Sequence, residues 1–219
     1  MKKIIPILAV TALLATGCAP STKVSEKKFD QEVTNYGCFM NKNVKFEGNG
    51  SLGVMEMKLT LESESDGSNL KLASTIKYLA EDVEVNEMKA MVIGEIKEEK
   101  FNGNMYMKET SWNVQAITNL PVEDLKAMLI EFTYLAPFKY EDVKYDSKQQ
   151  AYTFERYTGT FIDGSSTIDV TFRDGSLKFK GNELVSYKYN MAVETEMVMI
   201  DITRTQKGGV TVTAPEIPA

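Results

Sequence analysis

The spacing of apolar and polar positions divides this chain into stretches with different periods. Lys2 and Lys3 precede an apolar run over residues 4–14, and Ala15, Thr16 and Gly17 follow it before Cys18. Roughly eleven apolar residues are too few for a bilayer-spanning helix, which needs ~20. A positive start, an apolar centre and a small-residue stop form the pattern of a secretory signal. Residues 19–28, APSTKVSEKK, are small, polar and charged and read as a flexible tether. The amphipathic stretch 29–40 predicts a short helix against a sheet, with Gly37 as its weak point.

From Val44 the period becomes two. Met55, Met57, Leu59 and Leu61 alternate with Glu56, Lys58, Thr60 and Glu62, which predicts a strand with one buried and one wet face. A second strand places Leu70, Leu72, Ile76 and Tyr78 on one side, and Asp66-Gly67 between the two predicts a hairpin turn. Strands are expected around 88–96 and 104–110, joined at Asn102-Gly103.

The pattern then changes. Leu120-Pro121-Val122-Glu123-Asp124 is a good helix start, with proline near the first turn and two acids facing the helix dipole. Leu125, Met128, Leu129, Phe132 and Leu135 recur at helical spacing, and Pro137 ends the run. Strands resume near Tyr140: Tyr152, Phe154 and Arg156 share one face, and Ile168, Val170 and Phe172 share another. Asp163-Gly164, Asp174-Gly175 and Gly181-Asn182 are expected turns. The last strands are expected over 185–191 and 196–203. No regular alternation of strand with helix occurs, so the expected class is mainly β (α+β) with an antiparallel sheet.

Composition changes this picture in three ways. Without residues 1–17 the chain keeps 202 residues, enough for one β-rich domain over 29–219. It then carries 23 basic against 31 acidic side chains, a formal charge of −8. Such a body is a poor partner for nucleic acid or for anionic headgroups, both of which call for a clustered positive surface. Cys18, directly after the small residues, resembles the bacterial lipobox, whose cysteine is lipidated and becomes the first residue of the mature chain. That implies an acyl (palmitate-type) anchor at Cys18, a signal peptide over 1–17 and a tether over 18–28. The expected location is the cell membrane, outside the cytoplasm. Ala19 is not the aspartate associated with inner-membrane retention, so the outer membrane is expected where one exists. Cys38 then has no internal disulfide partner and reads as a small buried residue.

The absence of histidine excludes Ser-His-Asp and Cys-His sites and removes the commonest zinc ligand. Ser-x-x-Lys occurs at Ser25/Lys28, Ser68/Lys71 and Ser74/Lys77. The last two lie in or beside strands, where a spacing of three sends side chains to opposite faces. Acids cluster at Glu81-Asp82, Glu98-Glu99 and Glu141-Asp142, with nothing to select a catalytic pair. Asp66-Gly67-Ser68-Asn69 lacks the acidic spacing of a calcium loop. No enzyme activity, cofactor or metal is expected.

Methionine is the unusual component. Met55/Met57, Met105/Met107 and Met197/Met199 are each spaced by two, so both members of a pair share a sheet face. Such flexible, polarizable side chains suit an irregular core or a surface that accepts varied apolar partners. The order of elements, with Cys18, the helix around 125–135, Asp174-Gly175, the strand over 184–189 and the terminal G-V-T-V-T-A-P of 209–215, resembles LolA-like half-barrel lipoproteins. That superfamily includes bacterial lipoprotein carriers and lipid-binding cell-envelope lipoproteins. The resemblance implies a strongly curved antiparallel sheet, a half-open barrel with helices on its concave side and an apolar cavity for acyl chains. Met55, Met57, Met105, Met107, Leu125, Met128, Leu129 and Phe132 are the expected cavity lining, and the expected ligand is a lipid or an acylated peptide. The competing expectation is a non-enzymatic envelope interaction or sensory module with a closed core.

Overall fold

Two turns behave as their residues dictate. The Asp66 carboxylate accepts hydrogen bonds from the backbone N–H groups of Ser68 and Asn69 at 2.8 and 2.7 Å, and Gly67 takes a φ of +89° that suits a residue without Cβ. Gly181, with a φ of +61°, does the same between two later strands.

The computed structural model describes residues 22–108, 110–163, 166–193 and 196–216. Helices α1 (Glu26–Glu32) and α2 (Gly37–Met40) lead into β1 (Asn43–Leu52), β2 (Met55–Ser65), β3 (Asn69–Ala80), β4 (Val83–Lys97), β5 (Lys100–Lys108) and β6 (Trp112–Pro121). Helix α3 (Val122–Thr133) follows, then a 3-10 turn at Tyr140–Asp142. The chain finishes with β7 (Lys144–Asp146), β8 (Ala151–Asp163), β9 (Ser166–Lys180), β10 (Glu183–Val193) and β11 (Glu196–Lys207). All eleven strands form one sheet in the order β6-β5-β4-β3-β2-β1-β11-β10-β9-β8-β7. Every neighbouring pair is antiparallel, and β6 and β7 are edges, so the sheet does not close.

The face toward the helices holds the core, and its two halves differ in character. Along β8 to β10 it is aromatic: Phe138 packs against Phe154 (4.5 Å between ring centres), Tyr157 (4.9 Å) and Phe172 (5.6 Å). Phe29 of α1 meets Tyr152 and Phe179 at 5.1 and 5.5 Å. Three of these, Phe138 with Tyr157 and with Phe172 and Phe29 with Tyr152, are edge-to-face, a geometry that adds to the burial of large rings. Along β3 to β5 the same face is mainly aliphatic and methionine, with Phe101 and Tyr78 as its aromatic side chains. On the outer face, Val210 and Val212 of the C-terminal segment cover Met91. Asn43 exchanges two hydrogen bonds with the Val210 backbone (2.6 and 2.7 Å), and Glu64 accepts one from Val212 N–H at 2.9 Å. The terminal G-V-T-V-T-A-P is therefore a strap across the sheet.

Several expectations are corrected. The predicted helix over 29–40 is two helices, broken where Tyr36 adopts a left-handed φ of +53°. The expected tether is docked from Thr22 onward. Thr22 N–H donates to the Phe179 carbonyl (2.8 Å), and buried Val24 exchanges two hydrogen bonds with the Tyr152 hydroxyl. Asn102-Gly103 lies inside β5 rather than at a turn, which falls at Glu98-Glu99, both with positive φ. Gly103 faces Gly94 because the Phe101 ring occupies the space over both. Asp174-Gly175 likewise sits within β9, where the Phe154 ring fills the place of a Gly175 side chain. The Asp163-Gly164 turn, Cys18 and residues 1–17 fall outside the described residues. Strand β6 had no sequence signal: its positions 113–116 are exposed on both faces, so no alternation marks it. Cys38 is buried, which pushes its thiol pKa well up and keeps it a weak nucleophile.

Candidate functional site

The helix-side face is hollow where its cross-strand rows contain small side chains. One row runs Leu61, Ser74, Ala90, Met107 across β2, β3, β4 and β5. The adjacent row runs Leu72, Val92, Met105, Gln115, ending on β6. Ser74 and Ala90 are too short to meet the helix opposite, and a groove of about 730 Å³ opens between them and α3. That volume lies within the range of small-molecule sites. The glycine row beyond it is filled by Phe101, which closes one end.

The floor is Ser74, Ile76 and Tyr78 of β3, Met88 and Ala90 of β4, Met105 and Met107 of β5, and Gln115 of β6. The roof is Leu120, then Asp124, Ala127, Met128 and Phe132 of α3, and Tyr134 beyond it. Lys89 and Lys108, cross-strand neighbours, stand at the rim. The Lys89 ammonium lies 3.1 Å from Glu87, on the alternate positions that face away from Met88 and Ala90.

Helix α3 is pinned as a roof at both ends. Val122 N–H donates to the Glu99 carbonyl at 3.0 Å, and Lys126 joins Glu123 (2.6 Å) and Asn35 (3.1 Å). At the other end the Tyr187 hydroxyl donates to the Thr133 carbonyl (2.6 Å) and the Tyr36 hydroxyl to the Leu135 carbonyl (2.8 Å). Both tyrosines are buried, so these are hydrogen bonds without competing water.

Of the expected lining residues, the fold brings Met105, Met107, Met128 and Phe132 together in the groove. Leu125 and Leu129 are fully buried, turned from the groove into the core, and Met57 is also core. Met55 is half-buried beside Leu52 at the β1–β2 hairpin and takes no part. Sequence reasoning missed Ser74, Ile76, Tyr78, Met88, Ala90 and Gln115. The strands of the first five were legible, but not which positions stand side by side under the helix; Gln115 lies on β6, which no alternation marks. Burial raises the Tyr78 pKa, so its phenol stays protonated at neutral pH.

The remaining candidate chemistry disperses. Glu81-Asp82 and Glu98-Glu99 are exposed turns. Ser74 faces the groove while Lys77 is on the opposite face with Glu84, at 2.9 Å. A second depression, of about 790 Å³, mixes Asp142, Glu155 and Asp174 with Lys144, Arg156 and Lys188. Among the described residues no group of three histidine, cysteine or acidic side chains could hold a metal, and no helix is long and apolar enough to cross a membrane. Comparison with family models, curated proteins and solved structures finds no match.

Proposed function

We propose that this protein is a membrane-anchored cell-envelope lipoprotein that holds an acyl chain in the groove under α3. The observation that carries the reading is the composition of the walls. Four methionines, Met88, Met105, Met107 and Met128, with Ile76, Leu120 and Phe132, line an open groove of about 730 Å³, whereas the core of the other half is built of contacting aromatic rings. Flexible thioethers conform to a chain that itself has many conformers. Each CH₂ moved from water into the groove contributes ~0.8 kcal/mol. The half-open barrel implied by the LolA-like resemblance suits this reading: α3 touches β3, β5 and β6 on one side and β8 on the other, which asks the sheet to bend around it.

The test is saturable binding of a fluorescent fatty-acyl probe to residues 19–219, with native mass spectrometry of the same material purified from a membrane-containing host. One probe per chain and a co-purifying lipid mass are expected. A well-folded protein that binds no probe would support the closed-core interaction module in its place.

Anchoring rests on Cys18. The described chain enters the body at Thr22, bonded beside the β9–β10 turn, and four residues of chain reach at most about 14 Å. Acyl chains on Cys18 would hold that end of the sheet near the bilayer, and two chains suffice for stable attachment. Cys18→Ala is expected to abolish incorporation of labelled palmitate and release the protein from the membrane fraction. Equal labelling of both forms would end the lipobox assignment.

A further inference from the structure

Buried polar side chains in a folded protein are nearly always hydrogen-bonded. Among the described residues four non-aromatic ones are buried: Glu32, Ser63, Ser74 and Thr133. Glu32 bonds Lys42 and Leu184 N–H, Ser63 donates to the Phe39 carbonyl, and Thr133 donates to the Leu129 carbonyl. Ser74 is the exception. It is 4% exposed and lines the groove, no hydrogen bond to another described residue is found for its hydroxyl, and that hydroxyl is not sealed in the core but reaches the groove's open space. The Tyr189 hydroxyl also lacks a hydrogen bond, but it is sealed inside the aromatic half and does not line the groove.

We infer that Ser74 is a ligand-binding residue, and that the acyl chain in this groove is an ester whose carbonyl accepts a hydrogen bond from the Ser74 hydroxyl. This rests on the acyl-binding reading and specifies its ligand. The argument for a neutral oxygen is electrostatic. The two lysines of the lining, Lys89 and Lys108, stand at the rim on strand positions that alternate with Ala90 and Met107, Lys89 with Glu87 at 3.1 Å, and Asp124 lies on the roof. A carboxylate or phosphate drawn down to buried Ser74 would be a charge taken out of water and away from the rim lysines, which is costly. A hydrocarbon would leave the serine hydroxyl dry and unpaired. An ester carbonyl satisfies the hydroxyl and brings no charge, while Ile76, Met88 and Met105 of the lining accept the chain.

The experiment compares palmitoylglycerol with hexadecylglycerol, which differ by the ester carbonyl, as competitors of a fluorescent apolar probe on wild type and Ser74→Ala. Ser74 has no protein partner to lose, so Ser74→Ala is expected to melt no lower than wild type. Wild type is expected to bind the ester about three- to tenfold more tightly than the ether, the worth of one neutral hydrogen bond. Ser74→Ala should bind both equally, at the ether's wild-type affinity. Equal affinities in wild type, or an ester preference that survives Ser74→Ala, would overturn the assignment of Ser74 and leave the acyl-binding reading standing. Failure of both compounds to compete would remove that reading, and this inference with it.

Discussion

Met128→Lys is expected to lower affinity for an apolar probe by about tenfold or more while leaving the thermal midpoint close to wild type. Leu129→Ala is expected to do the reverse. The two positions are neighbours on α3, yet Met128 is half-buried on the groove side and Leu129 is fully buried in the core. Placing an ammonium in the path of an acyl chain removes apolar contact and obliges the charge to stay near the groove mouth, where water reaches it. The fold loses little, because the groove is open. Leu129→Ala instead leaves a hole in a close-packed interior, worth about 2–5 kcal/mol of stability in comparable series. Probe titration and chemical denaturation of both variants separate the two roles. A Met128→Lys protein that binds normally, or loses binding only as it unfolds, would show that the methionines are core.

The other large effect is expected at the buried ion pair. Glu32 of α1 contacts Lys42 Nζ through both oxygens, at 2.6 Å for Oε1, and accepts from Leu184 N–H at 3.1 Å. Its side chain is 6% exposed and that of Lys42 15%. Glu183 extends the network to Arg204 at 2.9 Å and Lys207 at 2.9 Å. Removing one member of a buried pair costs about 3–5 kcal/mol, because the other charge is left without compensation. Glu32→Ala is therefore expected to lower the stability of the domain by about that amount and to free α1 from β10. Hydrogen exchange at the Leu184 amide should accelerate beyond what the global loss accounts for. A loss under about 1 kcal/mol would show that Lys42 turns to Glu183 or to water at little cost.

Most of the strands were legible because each has one face in the core and one outside. In β2 and β3 the alternation from Met57 to Ser63 and from Leu70 to Ile76 maps directly onto buried positions. Helix α3 was legible from its stripe and its proline start, and it spans Val122–Thr133. The turns were less secure, because Gly and Asn serve two ends. At Asp66-Gly67 the asparagine-like bonding of Asp66 makes a hairpin, whereas Gly103 and Gly175 are glycine because an aromatic ring from a neighbouring residue or strand needs the room. Strand β6 lies at an edge and packs little on either side, so nothing in its residues selects a face.

The residues alone determined the period of each strand, the apolar stripe of α3 and the exclusion of histidine chemistry. They did so because these properties depend on local spacing and on which side chains exist. Tertiary structure decided the groove. Periodicity says that Ser74 and Ala90 face inward, but only strand pairing places them side by side and leaves a hollow beneath α3. The same stripe that announced the helix holds Leu125 and Leu129 for the core and Met128 for the groove. A rotation of one residue along a helix is about 100°, so which flank meets a filled half and which an open one is set by the neighbours, not by the stripe.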